Sequence, residues 1–186
     1  MSEVNPLLLL QRCEAGEAGA IAEFMCTYLP ASYRLALSIL DDPAEADDIA
    51  QETLLTALDK LATYRGEAAF TTWLYALTLN VCRRRLRKRR SHERLARLLR
   101  EVFHIHTEIR QLEAEVQQVE ADAALWSAIR RLADPQREVI ILRYYHNLPI
   151  ANISQVTCVS ERTVHNRLRA AHERLRNLLK EKDNLR

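Results

Sequence analysis

Along most of the chain the apolar residues recur every three or four positions, the pattern of helices that bury one face. Ile21, Phe24, Met25, Tyr28 and Leu29, then Leu35, Ile39 and Leu40, keep that period, and Pro30 between them predicts two helices over 17–40. Asp41-Asp42-Pro43 reads as a stop followed by a new start, with Asp42 capping free amides and Pro43 in the first helical position. The next helix, Pro43 to about Tyr64, sets Ala46, Ile49, Ala50, Leu54, Ala57, Leu58 and Leu61 inward and its carboxylates outward. Phe70, Trp73, Leu74, Leu77 and Val81 form another stripe at helical spacing, with Thr71, Thr72, Asn80 and a run of arginines on other faces.

From Leu95 the apolar positions alternate steps of three and four through Leu98, Val102, Ile105, Ile109, Leu112, Val116, Val119, Ala123 and Trp126. That spacing suits either a coiled-coil seam or a long helix packed back on its own domains. His104 and His106 lie within it, and an HxH pair on a helix points its rings to different faces, which disfavours a metal site. Asp134-Pro135 then opens a second module, read as another capped, proline-started helix. It carries Val139, Ile140, Leu142, Tyr144 and Tyr145, and a short helix from Ile150 to about Val156 follows. Thr157-Cys158-Val159 makes the turn, and Ser160 caps a final helix with Val164, Leu168, Ala171, Leu175 and Leu178 inward. Two helices, a tight turn and a longer helix form a helix-turn-helix pattern. The expected fold is all-α, with two small helical domains at 1–94 and 127–186 joined by a helical connector at 95–126.

Composition supports helices: there are only 3 Gly and 5 Pro, and none of either from Glu67 to Asp134. Cys13, Cys26, Cys82 and Cys158 are widely spaced, which suits reduced thiols in a cytoplasmic protein. Leu7 to Leu10 is too short an apolar run for a signal segment or a membrane span. The 27 Lys plus Arg against 25 Asp plus Glu nearly cancel, but they are segregated. Seven acidic residues and no Lys or Arg lie between Asp41 and Asp59, whereas seven of the eight residues from Arg83 to Arg90 are basic. Opposite faces within one small unit point to two partners, the basic one being a candidate for phosphates.

In a helix-turn-helix unit the first exposed turns of the second helix enter the major groove, where base edges present a distinguishable code. His165, Asn166 and Arg169 are the candidates for reading bases, and Arg162, Arg167 and Arg174 for holding phosphates, with Thr163 beside them. Near the basic stripe, Tyr64, Phe70, Trp73 and Tyr75 could stack unpaired bases, although Phe70 and Trp73 fit a core equally well. Thr72, Asn80 and Arg83 are the polar surface candidates there. No phosphate-cradling glycine loop, catalytic dyad or metal cluster is present, so neither an enzyme nor a cofactor is expected.

Two stretches resemble a known family. Glu45-Ala46-Asp47-Asp48-Ile49-Ala50-Gln51-Glu52-Thr53-Leu54, followed by Tyr64-Arg65-Gly66-Glu67-Ala68-Ala69-Phe70-Thr71-Thr72-Trp73-Leu74-Tyr75, is similar to the second region of bacterial RNA polymerase sigma factors of the extracytoplasmic-function class. Leu132-Ala133-Asp134-Pro135-Gln136-Arg137-Glu138-Val139 through Arg143-Tyr144-Tyr145, with Thr163-Val164 and Arg167-Leu168, is similar to their fourth region. The resemblance covers roughly residues 10 to 90 and 125 to 180. The sequence departs from the family at Asn152-Ile153-Ser154, at Cys158-Val159 where a glycine is usual near the turn, and at Ala170-Ala171-His172.

The resemblance implies a non-catalytic subunit that binds core RNA polymerase and directs promoter recognition and melting. It assigns polymerase docking to Asp48, Gln51, Glu52 and Thr53. It assigns the minus-ten element to Arg65, Thr72, Trp73, Asn80, Arg83 and Arg84, and the minus-thirty-five element to the helix-turn-helix. It also implies an anti-sigma partner, while the connector pattern leaves self-association through 95–126 open. The competing reading is a dimeric helix-turn-helix regulator using that connector as a coiled coil, which would need no acidic docking helix and no melting loop.

Overall fold

The computed structural model describes residues 6–103 and 120–183. The described residues form helices without a strand: α1 (Pro6–Glu14), α2 (Ala18–Leu40), α3 (Pro43–Asp59), a 3₁₀ turn (Leu61–Thr63) and α4 (Phe70–Phe103). Then come α5 (Glu120–Arg130), α6 (Asp134–Ile140) running into a π turn (Ile141–Tyr145), α7 (Ile150–Thr157) and α8 (Glu161–Asp183). Most of the heptad-patterned stretch, with His104 and His106, lies outside the described residues. None of the described helices is long and apolar enough to cross a membrane.

The two helices expected over 17–40 are one, with Pro30 inside α2. Proline removes one amide and crowds the carbonyl four residues before it, here that of Cys26. Both Pro30 and Cys26 face solvent, so water can take the freed carbonyl, while Phe24, Tyr28, Leu35 and Ala36 stay packed on either side of the break. The predicted start of α3 is present: the Asp42 carboxylate accepts from the amides of Ala44 and Glu45, both at 3.0 Å, with Pro43 next. Asp134 does not cap α6 as expected. Ala133 precedes the helix, and the Asp134 carboxylate instead takes Arg137 at 3.1 Å and Arg90 at 2.6 Å.

The first module closes on an aromatic cluster. Phe24 meets Tyr28 at 5.1 Å and Phe70 at 5.8 Å, and Tyr64 and Trp73 add their rings at 5.3 Å from Phe70. Leu9, Leu10 and Cys13 of α1 are buried in the same cluster, which explains the apolar run near the start of the chain. A second cluster is shared between modules. It joins Leu35, Ile39 and Leu40 of α2, Ala46 and Ile49 of α3 and Leu79, Val81 and Cys82 of α4 to Ile129, Leu142, Ile153, Val164 and Leu168 of the second module. Burial pushes the Cys82 thiol up to about 12, so it behaves as an apolar side chain.

The helix-turn-helix forms as expected in outline, with two differences. The π turn inserts a residue, bonding the His146 amide to the Ile141 carbonyl at 3.1 Å, and it leaves Tyr144 and Tyr145 exposed. Cys158 ends α7 in the left-handed region at φ 58°, where the Val159 amide reaches back to the Ser154 carbonyl at 3.1 Å. A side chain with a Cβ is strained there.

His146 lies at the seam between modules. The Ser38 hydroxyl donates to the Leu35 carbonyl at 2.8 Å, so its oxygen is left to accept from His146 Nε2 at 3.3 Å, which selects the Nε2–H tautomer. Tyr75 of α4 and Tyr145 cover the ring at 5.4 and 5.2 Å. Burial first, and the charge of Arg34 second, lower its pKa from 6.5 to about 4.

Replacing Cys158→Gly should stabilise the chain by about 1 kcal/mol through relief of the left-handed backbone. A denaturant midpoint that falls would show that the Cys158 side chain contributes more than its strain costs. For His146, the unfolded chain takes up the proton first, so its contribution is intact above about 6.5 and is lost as pH falls toward about 4. Thermal midpoints measured across that window should drop more steeply for the natural chain than for His146→Gln. Equal slopes would refute the assignment.

Candidate nucleic-acid and partner interfaces

The acidic face of α3 is solvent-facing at Asp47, Asp48, Gln51, Glu52, Leu55 and Asp59. The Gln51 amide donates to Asp47 at 2.9 Å, which holds it along the face. Thr53, expected on this surface, is fully buried, because the helical period that turns Ile49, Ala50 and Ala57 inward carries it in with them. It therefore drops out of the docking set. Leu55, not singled out in the sequence, is an exposed leucine, 59% accessible, on this acidic surface. Its position opposite the buried stripe was the available signal.

This face is wired to the basic stripe of α4. Glu52 receives Arg84 at 2.6 Å and Asp48 lies 3.8 Å from Arg85. Pairs this exposed are worth at most about 1 kcal/mol and exchange readily for other partners.

Between the 3₁₀ turn and α4, Gly66 at φ 72° lets the chain reverse, and Tyr64 Oη donates to the Ala68 carbonyl at 2.6 Å to close the loop. A cavity of about 330 Å³ opens here, walled by Tyr64, Arg65, Thr72, Trp73, Ala76 and Gln155. Phe70 is core. Trp73 is half-buried, packed on Phe70 at 5.3 Å and on Tyr64 at 5.4 Å, with part of its ring facing the cavity. Gln155, which sequence reading did not place here, comes from α7 of the second module.

Of the minus-ten candidates, Arg65, Asn80 and Arg84 are exposed. Thr72 and Arg83 are not free surface as expected, because α7 and α6 pack over them. Thr72 is buried and its hydroxyl accepts from the Asn152 amide at 3.2 Å. Arg83 grips Glu138 with two bonds, Nε to Oε1 at 2.9 Å and Nη2 to Oε2 at 2.7 Å, and Asn80 lies 3.5 Å from its third nitrogen. These bonds to Glu138, more than anything else nearby, raise the Arg83 pKa and fix it as a cation.

On α8, Ser160 accepts from the Thr163 amide at 3.3 Å and shares a 2.9 Å contact with its hydroxyl, so Thr163 serves the cap. Arg162, His165, Asn166, Arg169 and Arg174 are exposed. Arg167 is half-buried and does not join them. It lines an open cleft of about 570 Å³ with Arg83, Arg87, Arg90, Asp134 and Glu138 at the seam. His165 and Arg169 share a second groove, about 550 Å³, with Arg143, Tyr144, His172 and Arg176, where the Tyr144 and His172 rings meet at 5.6 Å. Tyr144 and Arg143 were not foreseen in this role, since the π turn that rotates them outward leaves no mark on apolar spacing.

Comparison with known proteins accounts for the pair of modules. Residues 25–92 match the family described as Sigma-70 region 2, and residues 122–175 the one described as Sigma-70, region 4. The chain is 27% identical over 171 residues to RNA polymerase sigma-H factor of Pseudomonas aeruginosa, covering 89% of each. It is 26% identical over 178 residues to ECF RNA polymerase sigma factor SigW of Bacillus subtilis, covering 92% of this chain and 95% of that one. Its fold is similar to that of the sigma factor RpoE solved with the anti-sigma factor NepR from Bartonella quintana. That likeness has a TM-score of 0.62 and 23% identity, over 86% of this chain and 96% of the other. With both sigma regions in order, and relatives aligned over nearly their whole length, the chain belongs to the extracytoplasmic-function class of RNA polymerase sigma factors.

Proposed function

We propose a division of labour among three faces of this sigma factor, which directs core RNA polymerase to promoters. The observation that carries it is the placing of an exposed acidic helix, α3, directly beside the basic stripe of α4, with a separate cationic face on α8. Asp48, Gln51, Glu52 and Leu55 dock on polymerase. Charge at the rim draws the partner in, and the exposed leucine supplies the apolar contact at its centre.

Arg65, Trp73, Asn80 and Arg84, with Thr72 and Arg83 once uncovered, take the melted minus-ten strand. The cavity beside Tyr64 and Trp73 can receive an unstacked base, since stacking on an aromatic ring returns about 1–3 kcal/mol per base. Arg162, His165, Asn166 and Arg169 read the minus-thirty-five duplex in the major groove, with Arg174 on phosphate. The protein performs no covalent step; it positions DNA for the polymerase that does. An anti-sigma factor is proposed as its regulator, by likeness to the NepR complex.

Reconstituted transcription with core enzyme on genomic fragments tests the whole reading, and duplex binding without any transcript start would overturn it. Reversing Asp48→Arg together with Glu52→Arg should abolish capture of core polymerase while helicity stays unchanged. Retained pull-down would place docking elsewhere. Arg169→Ala should relax preference at one upstream base by about 1–3 kcal/mol. Arg162→Ala should instead weaken all duplexes alike and lower the salt slope by about one. Identical losses on every sequence from both changes would dissolve the distinction between reading and holding.

A further inference from the structure

We infer that the groove between the end of α2, the C-terminal half of α4, α5 and α6 is a binding site for a small amphiphilic carboxylate of the acyl type. None of the residues assigned above to polymerase or DNA lines it. The groove holds about 620 Å³, inside the range of roughly 300–1,000 Å³ in which proteins hold small molecules. Both modules build it. Leu86, Arg89, Arg90 and Glu93 follow one another at helical spacing along α4, so the groove runs for about 10 Å at 1.5 Å per residue. Leu37 and Leu40 of α2 and Ile129 of α5 supply apolar wall, and the rings of Trp126 and Tyr145 meet edge to face at 5.5 Å beside them. The π turn that brings Tyr145 to the surface thereby gives the groove an aromatic edge. An elongated apolar trough of this kind suits a chain rather than a compact polar solute.

Charge decides the sign of the ligand. Among the described residues the charged lining is Arg89, Arg90, Arg130 and Arg137 against Asp41 and Glu93, so cations are in excess. Both acids are already engaged at the rim, Asp41 by Arg130 at 2.9 Å and Glu93 by Arg89 at 3.6 Å. Arg137 is the deep group. Its side chain is 13% exposed and its Nη2 donates to Asp134 at 3.1 Å, while its Nε is buried with no hydrogen-bond partner among the described residues. A buried donor left unpaired is costly, and the cost is recovered when a ligand brings an acceptor. A carboxylate brings one and makes the bond charge-assisted, while the acyl chain covers Leu37, Leu40, Leu86 and Ile129. A neutral chain would cover the same wall without engaging the guanidinium, and an amine would meet like charge. Because the ligand touches both modules, it binds the arrangement in which they line one groove and stabilises it by mass action. The groove is therefore an effector site whose occupancy resists any parting of the modules.

The test uses the full chain carrying Trp73→Phe, which leaves Trp126 in the groove as the only tryptophan. The probe is ω-bromododecanoate below its micelle-forming concentration, whose bromine quenches an indole in contact with it, and ω-bromododecanol is the neutral comparator. The acid should quench Trp126 saturably, about tenfold more tightly than the alcohol, and the thermal midpoint should rise with acid concentration. Arg137→Gln should weaken the acid by about tenfold and leave the alcohol unchanged. Arg89→Glu, at the exposed rim, should weaken the acid by about threefold and covers the case in which the Arg137 change unfolds the module. Equal quenching by acid and alcohol, or acid binding untouched by both variants, overturns the proposal. A molecular mass that rises with protein concentration and falls back with Arg89→Glu would make the groove an interface between copies of the chain and overturn it as well.

Discussion

The shared wall that α4 provides is the constraint on which the rest of the structure depends. Its Phe70 and Leu74 complete the aromatic core of the first module, while Leu79, Val81 and Cys82 enter the cluster continuous with the second. A helix with apolar surface committed in two directions has little perimeter left for charge, and what remains is the arginine stripe. That stripe is consequently bordered on one side by α3 and on the other by α6 and α7, and both borders carry carboxylates. The acidic and basic runs are therefore parts of one electrostatic arrangement in which Arg83, Arg84, Arg85 and Arg90 each have a resident partner that another anion could displace.

The strengths of those pairs differ with exposure. Glu52 with Arg84 and Asp48 with Arg85 stand in water, where an ion pair contributes little and trades freely. Glu138 with Arg83 is bidentate and screened, so separating its members leaves a buried carboxylate to be rehydrated. Partners arriving at α3 thus meet a low barrier, whereas access to the middle of α4 depends on moving a whole helix. The Ser32–Thr78 hydroxyl contact at 3.1 Å between α2 and α4 lies inside the first module and ties these two helices together without a partner from the second.

Much of the fold was legible because apolar spacing reports which face of a helix is covered. The inward set of α8 appeared whole in the sequence, and the cap at Asp42 followed from the demand of free amides for an acceptor. Spacing cannot report what covers a polar residue. Thr72 and Thr53 look like surface threonines in a linear reading, yet α7 covers one and the period of α3 itself turns in the other. Pro30 misled for a related reason, since a proline breaks a helix only when the carbonyl it frees has nowhere to go. The π turn at Ile141–Tyr145 shifts register by one residue and leaves Tyr144 and Tyr145 at the surface, which apolar spacing does not report. Asp48, Glu52, Arg162 and Arg169 stand on the surface as their charge and order suggest, whereas Thr72 and Arg83 are covered where a second module supplies the partner.

Arg83 and Arg167 show why this last class of error has physical content. Both were assigned to DNA from their own segments, one to each promoter element, and both line the same cleft beside Glu138 and Asp134. Guanidinium groups from the two DNA-binding modules, brought together around two carboxylates, cannot hold phosphates on two separate elements while the modules stay packed. On the proposed division of labour, engaging both promoter elements at once requires the modules to part. The apolar cluster that joins them must yield to contacts of comparable size. Isolated anions can displace a carboxylate from an arginine, but only a large partner surface can replace the apolar cluster that the two modules share. On the proposed reading, core polymerase is the partner that supplies such a surface.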